Sequence, residues 1–421
     1  MNDLQQQLEA LRERVARVNQ RFAEKHANSE KCSGAAAEGA PDPHEHGLSG
    51  QPVETEHGSH WETEMFYPSH RRHGTADIGA LADLPHDLLQ AISEGAAPAV
   101  PPTEWAFLDT ETTGLAGGTG TCAFLVGVGR ITAEGFRVRQ FFMRDYGEEA
   151  SLLAALTEHL QPFRVLITYN GRTFDQPLLE TRYRMNRARP PFSRMDHHVD
   201  LLYGARRLWK LRYESCRLVE LETQVLGYER VGDVPGSIIP ALYFDYIRTR
   251  RGAPLKPVFE HNALDILTLA CLTGIVPQVF RSPRELRHGV EILGMARWML
   301  QTGDPADARV LFERAVNAGL PDDLLFRTLW ELTALDRKLG DHERCLTGRT
   351  DLAGAKNPYR VRAMEELAKH AEHRTKDPAR ALEWTRAAIE HEDTPELRHR
   401  EERLLRRAAK HRSTAAGGPV L

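Results

Sequence analysis

Trp105-Ala106-Phe107-Leu108-Asp109-Thr110-Glu111-Thr112-Thr113-Gly114 is the stretch on which the reading of this chain turns. An apolar run ends in two carboxylates one residue apart, and Thr-Thr-Gly follows. Along a strand, residues i and i+2 share a face, so Asp109 and Glu111 point the same way. Adjacent anions repel, and a folded site tolerates them best around a cation. Oxygen-only donors suit a hard divalent ion such as Mg²⁺. Asp-x-Glu is common by chance, so its weight comes from two further acidic motifs.

The first of these is Tyr169-Asn170-Gly171-Arg172-Thr173-Phe174-Asp175, directly after the β-type run 165–169. Asp175 stands where a helix opens at Gln176-Pro177, and proline is well accommodated in a first turn. An aspartate there projects from the C-terminal edge of a sheet, where open α/β folds gather their sites. Taken alone, it reads as a helix N-cap. The other motif is Glu260-His261-Asn262-Ala263-Leu264-Asp265, opening a helix after Pro254 and Pro257. His261 and Asp265, at i and i+4, lie on one helix face, and Glu260 and Asn262 are expected on others. Alone this is a surface His–Asp pair. Beside metal-binding carboxylates, a His one turn before an Asp is placed to deprotonate water.

Together, and in this order, the three motifs resemble the DEDD (DnaQ-like) exonuclease superfamily on a ribonuclease-H-like fold, over roughly 104–275. The second motif is particularly similar to that of family-B polymerase proofreading domains. The resemblance implies 3′–5′ phosphodiester hydrolysis with two Mg²⁺ or Mn²⁺ ions. Asp109, Glu111, Asp175 and Asp265 would hold them, and His261 would take a proton from water. It also implies substrate contacts from Thr112, Thr113 and Leu115, with Asn170 and Phe174 lining the same cleft. For Phe174 and Leu115, core packing and base stacking stand level. One departure bears on His261: it sits four residues before Asp265, the spacing of the superfamily's Tyr branch, whereas its His branch uses five.

The chain of 421 residues is too long for one core. The expected fold class is α/β, a ribonuclease-H-like three-layer exonuclease domain with mixed sheet at 104–280, followed by an all-α domain at 284–421. Upstream, Leu4, Leu8, Leu11, Val15, Val18 and Phe22 set a heptad seam, which predicts a helix over 1–26. The His/Gly/Pro-rich composition of 27–76 reads as a flexible linker rather than a metal cluster. A short helix (85–93) and a Pro-rich approach fill 77–103. In 284–421, Asp304, Asp341 and Asp377 recur at intervals of 37 and 36, each in a turn between apolar helices. That is close to the tetratricopeptide (TPR) period and predicts degenerate TPR-like repeats. With them, the whole chain resembles a bacterial group of DnaQ-like exonucleases implicated in repair of mitomycin-type DNA damage alongside a helicase.

A formal net charge of −4 gives no global sign of nucleic-acid binding. Locally, 181–212 carries nine Arg/Lys against two Asp, a stripe suited to polyphosphate. Arg182, Arg206, Arg207 and Lys210 are candidates for tracking phosphates. Five scattered cysteines without CxxC spacing read as reduced thiols of a cytoplasmic protein. No membrane span or signal peptide is expected. The leading expectation is a DNA exonuclease, with a repair protein such as a helicase engaged through the repeats or the N-terminal helix. An RNA 3′-exonuclease or a structure-selective endonuclease is the rival among enzymes. A catalytically silent nucleic-acid-binding scaffold is the rival from another class, and the four intact carboxylates argue against it.

Overall fold

A computed structural model describes residues 48–93, 95–114 and 120–416, with side chains through Arg407. The heptad segment 1–26, the linker to residue 47, Leu115 and Gly117–Thr119 lie outside the described residues.

The described strands are β1 (Gln51–Thr55), β2 (Gly58–Pro68), β3 (Arg72–His73), β4 (Ala76–Asp77), β5 (Trp105–Thr112), β6 (Ala123–Thr132), β7 (Gly135–Phe142), β8 (Val165–Thr168) and β9 (His197–Asp200). Seven form one mixed sheet in the order β1-β2-β7-β6-β5-β8-β9. Neighbours from β1 through β5 run antiparallel, and β8 and β9 join parallel to β5. The helices of this part are α1 (Glu149–Leu160), α2 (Asp175–Met185), α3 (Leu201–Trp209), α4 (Leu218–Leu221), α5 (Ile239–Thr249) and α6 (Lys256–Arg281). The α/β class with a mixed sheet is therefore as expected.

Packing explains the sequence of β6, Ala-Phe-Leu-Val-Gly-Val-Gly. A Cβ on Gly127 would stand 2.2 Å from Asn262 Oδ1 and 2.3 Å from Ile266 Cδ1, and one on Gly129 2.5 Å from Ile266 Cγ2. Two glycines thus let α6 lie directly on β6. That helix is the one described segment (Ala253–Arg281) long and apolar enough to cross a membrane by length and composition. Of its most apolar window 67% is buried in the fold, so its apolarity serves the core.

The linker expectation fails over 51–76. β2 pairs with β7 from Trp61↔Phe142 to Pro68↔Gly135, extending the sheet. His60 is fully buried, its Nδ1 2.9 Å from Ser151 Oγ and its Nε2 2.9 Å from Glu62 Oε1. Arg139 Nε donates to Glu62 Oε2 at 2.6 Å. With no solvent access, this Ser–His–Glu chain is a structural tie and not a nucleophile. The β3–β4 hairpin also docks, and its His73 is 2% exposed. The lead-in helix expected at 85–93 is only a 3-10 turn, Leu88–Ala91, anchored by two fully buried leucines, Leu88 and Leu89.

The chain divides into two compact units, one reaching Ala205 and resuming at Ser215–Arg281, the other made of Arg206–Glu214 and the chain from Ser282 on. The second contains α7 (Gly289–Thr302), α8 (Pro305–Ala318), α9 (Asp322–Lys338), α10 (His342–Gly354), α11 (Arg360–His373), α12 (Pro378–His391) and α13 (Pro395–Ala416). The three recurrent aspartates are N-caps: Asp304 accepts from Asp307 N, Asp341 from Arg344 N and Asp377 from Arg380 N. Each follows a residue with positive φ, namely Gly303 (103°), Gly340 (83°) and Lys376 (53°). A left-handed residue and then an Asp cap reverse the chain between paired helices.

Candidate active site

β5 carries Asp109 and Glu111 to its C-terminal end. Asp109 is opposite Gly127 in the β5–β6 register, and the space where that glycine lacks a side chain is filled by Asn262 of α6. Asn262 Nδ2 donates to Asp109 Oδ2 at 2.8 Å, and Gln140 Nε2 donates to Asn262 Oδ1 at 2.8 Å. Asn262 therefore faces the carboxylates, not another side of the helix as expected. α6 is buried around much of its girth, so facing the core is not confined to one narrow stripe.

Asp175 opens α2 but caps nothing with its side chain, and Phe174 occupies the N-cap position. Its Oδ1 accepts instead from Thr110 Oγ1 of β5 at 2.5 Å. The loop before it is fixed by Asp200 at the end of β9, which accepts from Asn170 N (2.8 Å), Arg172 N (3.2 Å) and Leu202 N (3.1 Å). Asn170 sits at φ 69°, a left-handed conformation that asparagine tolerates.

His261 stands between the motifs. Its Nε2 lies 3.6 Å from Asp265 Oδ2 and 3.9 Å from Glu111 Oε1, and its Nδ1 is 2.8 Å from Asp233 Oδ1. The buried guanidinium of Arg230 lies behind Asp265. Its Nη2 reaches Asp265 Oδ1 (2.6 Å), its Nη1 Asp233 Oδ2 (3.2 Å) and its Nε Glu222 Oε2 (2.5 Å). His73 Nε2, 2.9 Å from Glu222 Oε1, ties the chain to the β3–β4 hairpin.

The electrostatics mark these groups as one site. Burial, then the charges of Asp265, Asp175 and Glu111, push the Asp109 carboxyl well above its ordinary range, against the Asn262 hydrogen bond. Burial also raises Glu111 to about 8, with Asp265, Asp175 and Asp233 adding to it and His261 opposing. Asp175 rises to about 6, again chiefly by burial. Burial disfavours a charged His261, but the Asp233 hydrogen bond and the charges of Asp265 and Glu111 override it and raise the imidazole to about 9. None of the four carboxylates turns into solvent, the side chains of Glu111 and Asp265 being 13% and 16% exposed. Among the described residues, no three Asp, Glu, His or Cys side chains stand close enough to enclose one ion as they are.

A cleft of about 720 Å³ opens beside Asp109 and Asp175, lined also by Thr112, Asn170 and Phe174. Phe174 is 53% exposed, which removes the core-packing alternative for it. Thr112 Oγ1 donates to Gly114 O, and Thr113 Oγ1 accepts from Cys122 N. The basic stripe's residues fall in both compact units. Arg182 is buried in a two-pronged pair with Glu149, both hydrogen bonds at 2.6 Å. Arg206, Arg207 and Lys210 group with the helical unit, where Arg207 stacks over Trp298 at 5.8 Å. Arg230 and Asp233 escaped the sequence reading because no motif spacing links them to residues 28 and 35 positions away.

Residues 106–276 match a family model described as RNase_H superfamily and form an RNase_H superfamily domain, a nuclease-like fold. The chain is 30% identical over 357 residues to the uncharacterized protein YprB of Bacillus subtilis (strain 168), covering 82% of this chain and 85% of that protein. At that identity and span, the chain belongs to the YprB family. It is also similar to the structure of the family B DNA polymerase from the hyperthermophilic archaeon Pyrobaculum calidifontis. That likeness has a TM-score of 0.32 at 15% identity, over 49% of this chain and 30% of the polymerase, too slight to bear on activity.

Proposed function

We propose that the protein is a divalent-metal-dependent 3′–5′ exonuclease of the DEDD type acting on DNA. The observation that carries this reading is geometric: Asn262 of the third motif holds Asp109, Thr110 of the first holds Asp175, and His261 stands 3.9 Å from Glu111 and 3.6 Å from Asp265, so the four carboxylates come from three separate motifs to neighbouring positions. Their oxygens fit Mg²⁺ or Mn²⁺: burial and mutual repulsion leave the cluster short of positive charge, and no soft donor is among them. Mg²⁺ commonly takes one or two carboxylates and completes its shell with water and substrate phosphate, so three protein ligands need not close on one ion. When bound, such ions supply charge stabilisation to the attacking and leaving oxygens of the phosphodiester.

The chain's own residues do the rest. Asp233 accepts from Nδ1–H of His261, fixing the tautomer that leaves Nε2 toward Glu111 and Asp265. The Asp233 hydrogen bond and the charges of Asp265 and Glu111 raise His261 to about 9 and favour the protonated imidazole at neutral pH. Asp109, Glu111, Asp175 and Asp265 would hold the cations, whose charge would lower the imidazole's affinity for its proton, and Nε2 is the atom that would accept a proton from water. Asn262 and Arg230 hold Asp109 and Asp265 in place before substrate arrives. Exposed Phe174 offers a stacking face to the terminal base, and Thr112 and Asn170 line its cleft.

Capped helical hairpins at intervals of 37 and 36 residues support TPR-like repeats as a module for partner engagement. A repair setting and a helicase partner rest on the family resemblance. The test uses purified protein, Mg²⁺ or Mn²⁺ and 5′-labelled DNA or RNA. Stepwise shortening from the 3′ end of DNA, abolished by chelator and by Asp175→Ala or Asp265→Ala, is the expected result. Shortening of RNA alone, internal cuts, or binding without cleavage overturns it in favour of the RNA, endonuclease or scaffold reading respectively.

A further inference from the structure

A second charged concavity lies in the helical unit, at the meeting of α9, α10 and α11, with a volume of about 210 Å³. Four permanent cations line it, Arg337, Arg349, Lys369 and Arg374, against the single carboxylate Glu366. Glu366 is shared: Lys369 Nζ lies at 2.8 Å, Arg349 Nη2 at 3.5 Å and Arg337 Nη1 at 3.7 Å. Lys369 has one further carboxylate, Glu365, at 3.8 Å. Arg349 is 6% exposed, and its Nε has no hydrogen-bond partner. His342, His370 and His373 complete the rim. Burial, and then the charges of Arg349, Arg374, His342 and Arg380, depress the His370 imidazole, a sign of crowded positive charge.

We propose that this cavity is an oxyanion subsite holding a backbone phosphate of a nucleic-acid strand. Convergent guanidinium and ammonium groups around a single countercharge match a phosphate's several acceptor oxygens. At ~30 Å³ per water, the volume is room for roughly seven waters, enough for a phosphate with its ester oxygens. Phe, Tyr and Trp are absent from its lining, and contacts to a backbone phosphate carry no sequence information. A protein partner would want an apolar anchor pocket, and Leu346 is the one large aliphatic side chain on the lining. The same chain carries an RNase_H superfamily domain, a nuclease-like fold that implies a nucleic-acid substrate. The choice of nucleic acid rests on that domain; it does not require the domain to be a 3′–5′ exonuclease.

The test is fluorescence anisotropy of the full chain with a labelled single-stranded oligonucleotide, in chelator, across a KCl series. Lys369→Gln/Arg374→Gln should weaken binding about ten-fold and flatten the salt dependence by ~0.7 in log–log slope for each phosphate no longer engaged. Arg337→Gln, at a side chain 58% exposed, serves as an independent variant should the double substitution not fold. Arg327→Gln, equally exposed but outside the cavity, should leave affinity and slope unchanged. Inorganic phosphate should compete with the oligonucleotide for wild type more strongly than for the double variant. Unchanged affinity and slope in folded cavity variants overturns the proposal. So does competition by poly-glutamate that the variants abolish while oligonucleotide binding stays intact, which assigns the cavity to an acidic protein partner. Binding that disappears with the cavity, in a chain that never cleaves, would leave this inference standing and end the exonuclease reading.

Discussion

The carboxylate cleft and the helical unit's cationic cavity both gather charge of one sign, but they neutralise it differently. Behind the cleft the compensating groups are buried: Arg230 is 4% exposed, and Asn262 is fully buried. In the cavity one carboxylate serves three cations, two of which, Arg337 and Lys369, keep side chains 58% and 41% exposed. Water screens the second arrangement far more than the first. Like charge is thus cheap to collect at a wet surface and requires built-in counterions once buried. A ligand ion should accordingly matter far more to the cleft than to the cavity.

The hardest way to break the comparison is to remove charge from the cleft itself. Asp109→Asn should cut cleavage of end-labelled DNA by orders of magnitude, read from single-turnover rates, because it weakens metal binding as well as charge balance. Removing the internal cation comes next. Arg230→Met leaves Asp265 and Glu222 without their buried partner and should cost roughly 3–5 kcal/mol in urea unfolding. Added Mg²⁺ should restore more stability to this variant than it adds to wild type, and equal increments would separate Arg230 from the carboxylate cluster.

Smaller effects sharpen the picture. Gly127→Ala forces a Cβ against Asn262 and Ile266 and should destabilise by about 1–3 kcal/mol. Chemical denaturation measures the loss, and an Asp109-dependent activity that falls further than stability would show Asn262 displaced. Burial acts on an imidazole with the opposite sign. His159, edge-on to Phe141 with its Nε2 unpartnered, is depressed to about 4. Above pH ~6.5 both folded and unfolded forms are neutral. Between there and about 4 only the unfolded chain binds the proton, so stability falls as pH drops, by at most ~1.4 kcal/mol per pH unit. His159→Phe should flatten thermal midpoints across that window. Least of all, Lys376→Gly should stabilise the helical unit by ~0.5–1 kcal/mol, because a left-handed lysine is replaced by a residue without that strain.

The three acidic motifs and the capped turns were legible because each is local: a strand end, a helix start, an Asp after a left-handed residue. Asp175 shows the limit of local reading. Spacing suggested a cap, whereas Thr110, 65 positions away, turns its carboxylate toward the sheet. The β1–β2 hairpin was illegible for a similar reason. Its Ser, His and Glu side chains look like linker composition until β7 and Ser151 supply partners far along the chain. Asn262 was misplaced because helix arithmetic assumes one buried stripe, and α6 is covered on more than one side.

The ladder from His73 through Glu222 and Arg230 to Asp265 has a consequence for how such a molecule is made. A newly synthesised chain carries its own salt partner into the fold, so it can reach its finished shape without waiting for magnesium. On the metal-dependent reading proposed above, metal scarcity would then idle the protein instead of unravelling it, and activity would return with the ion.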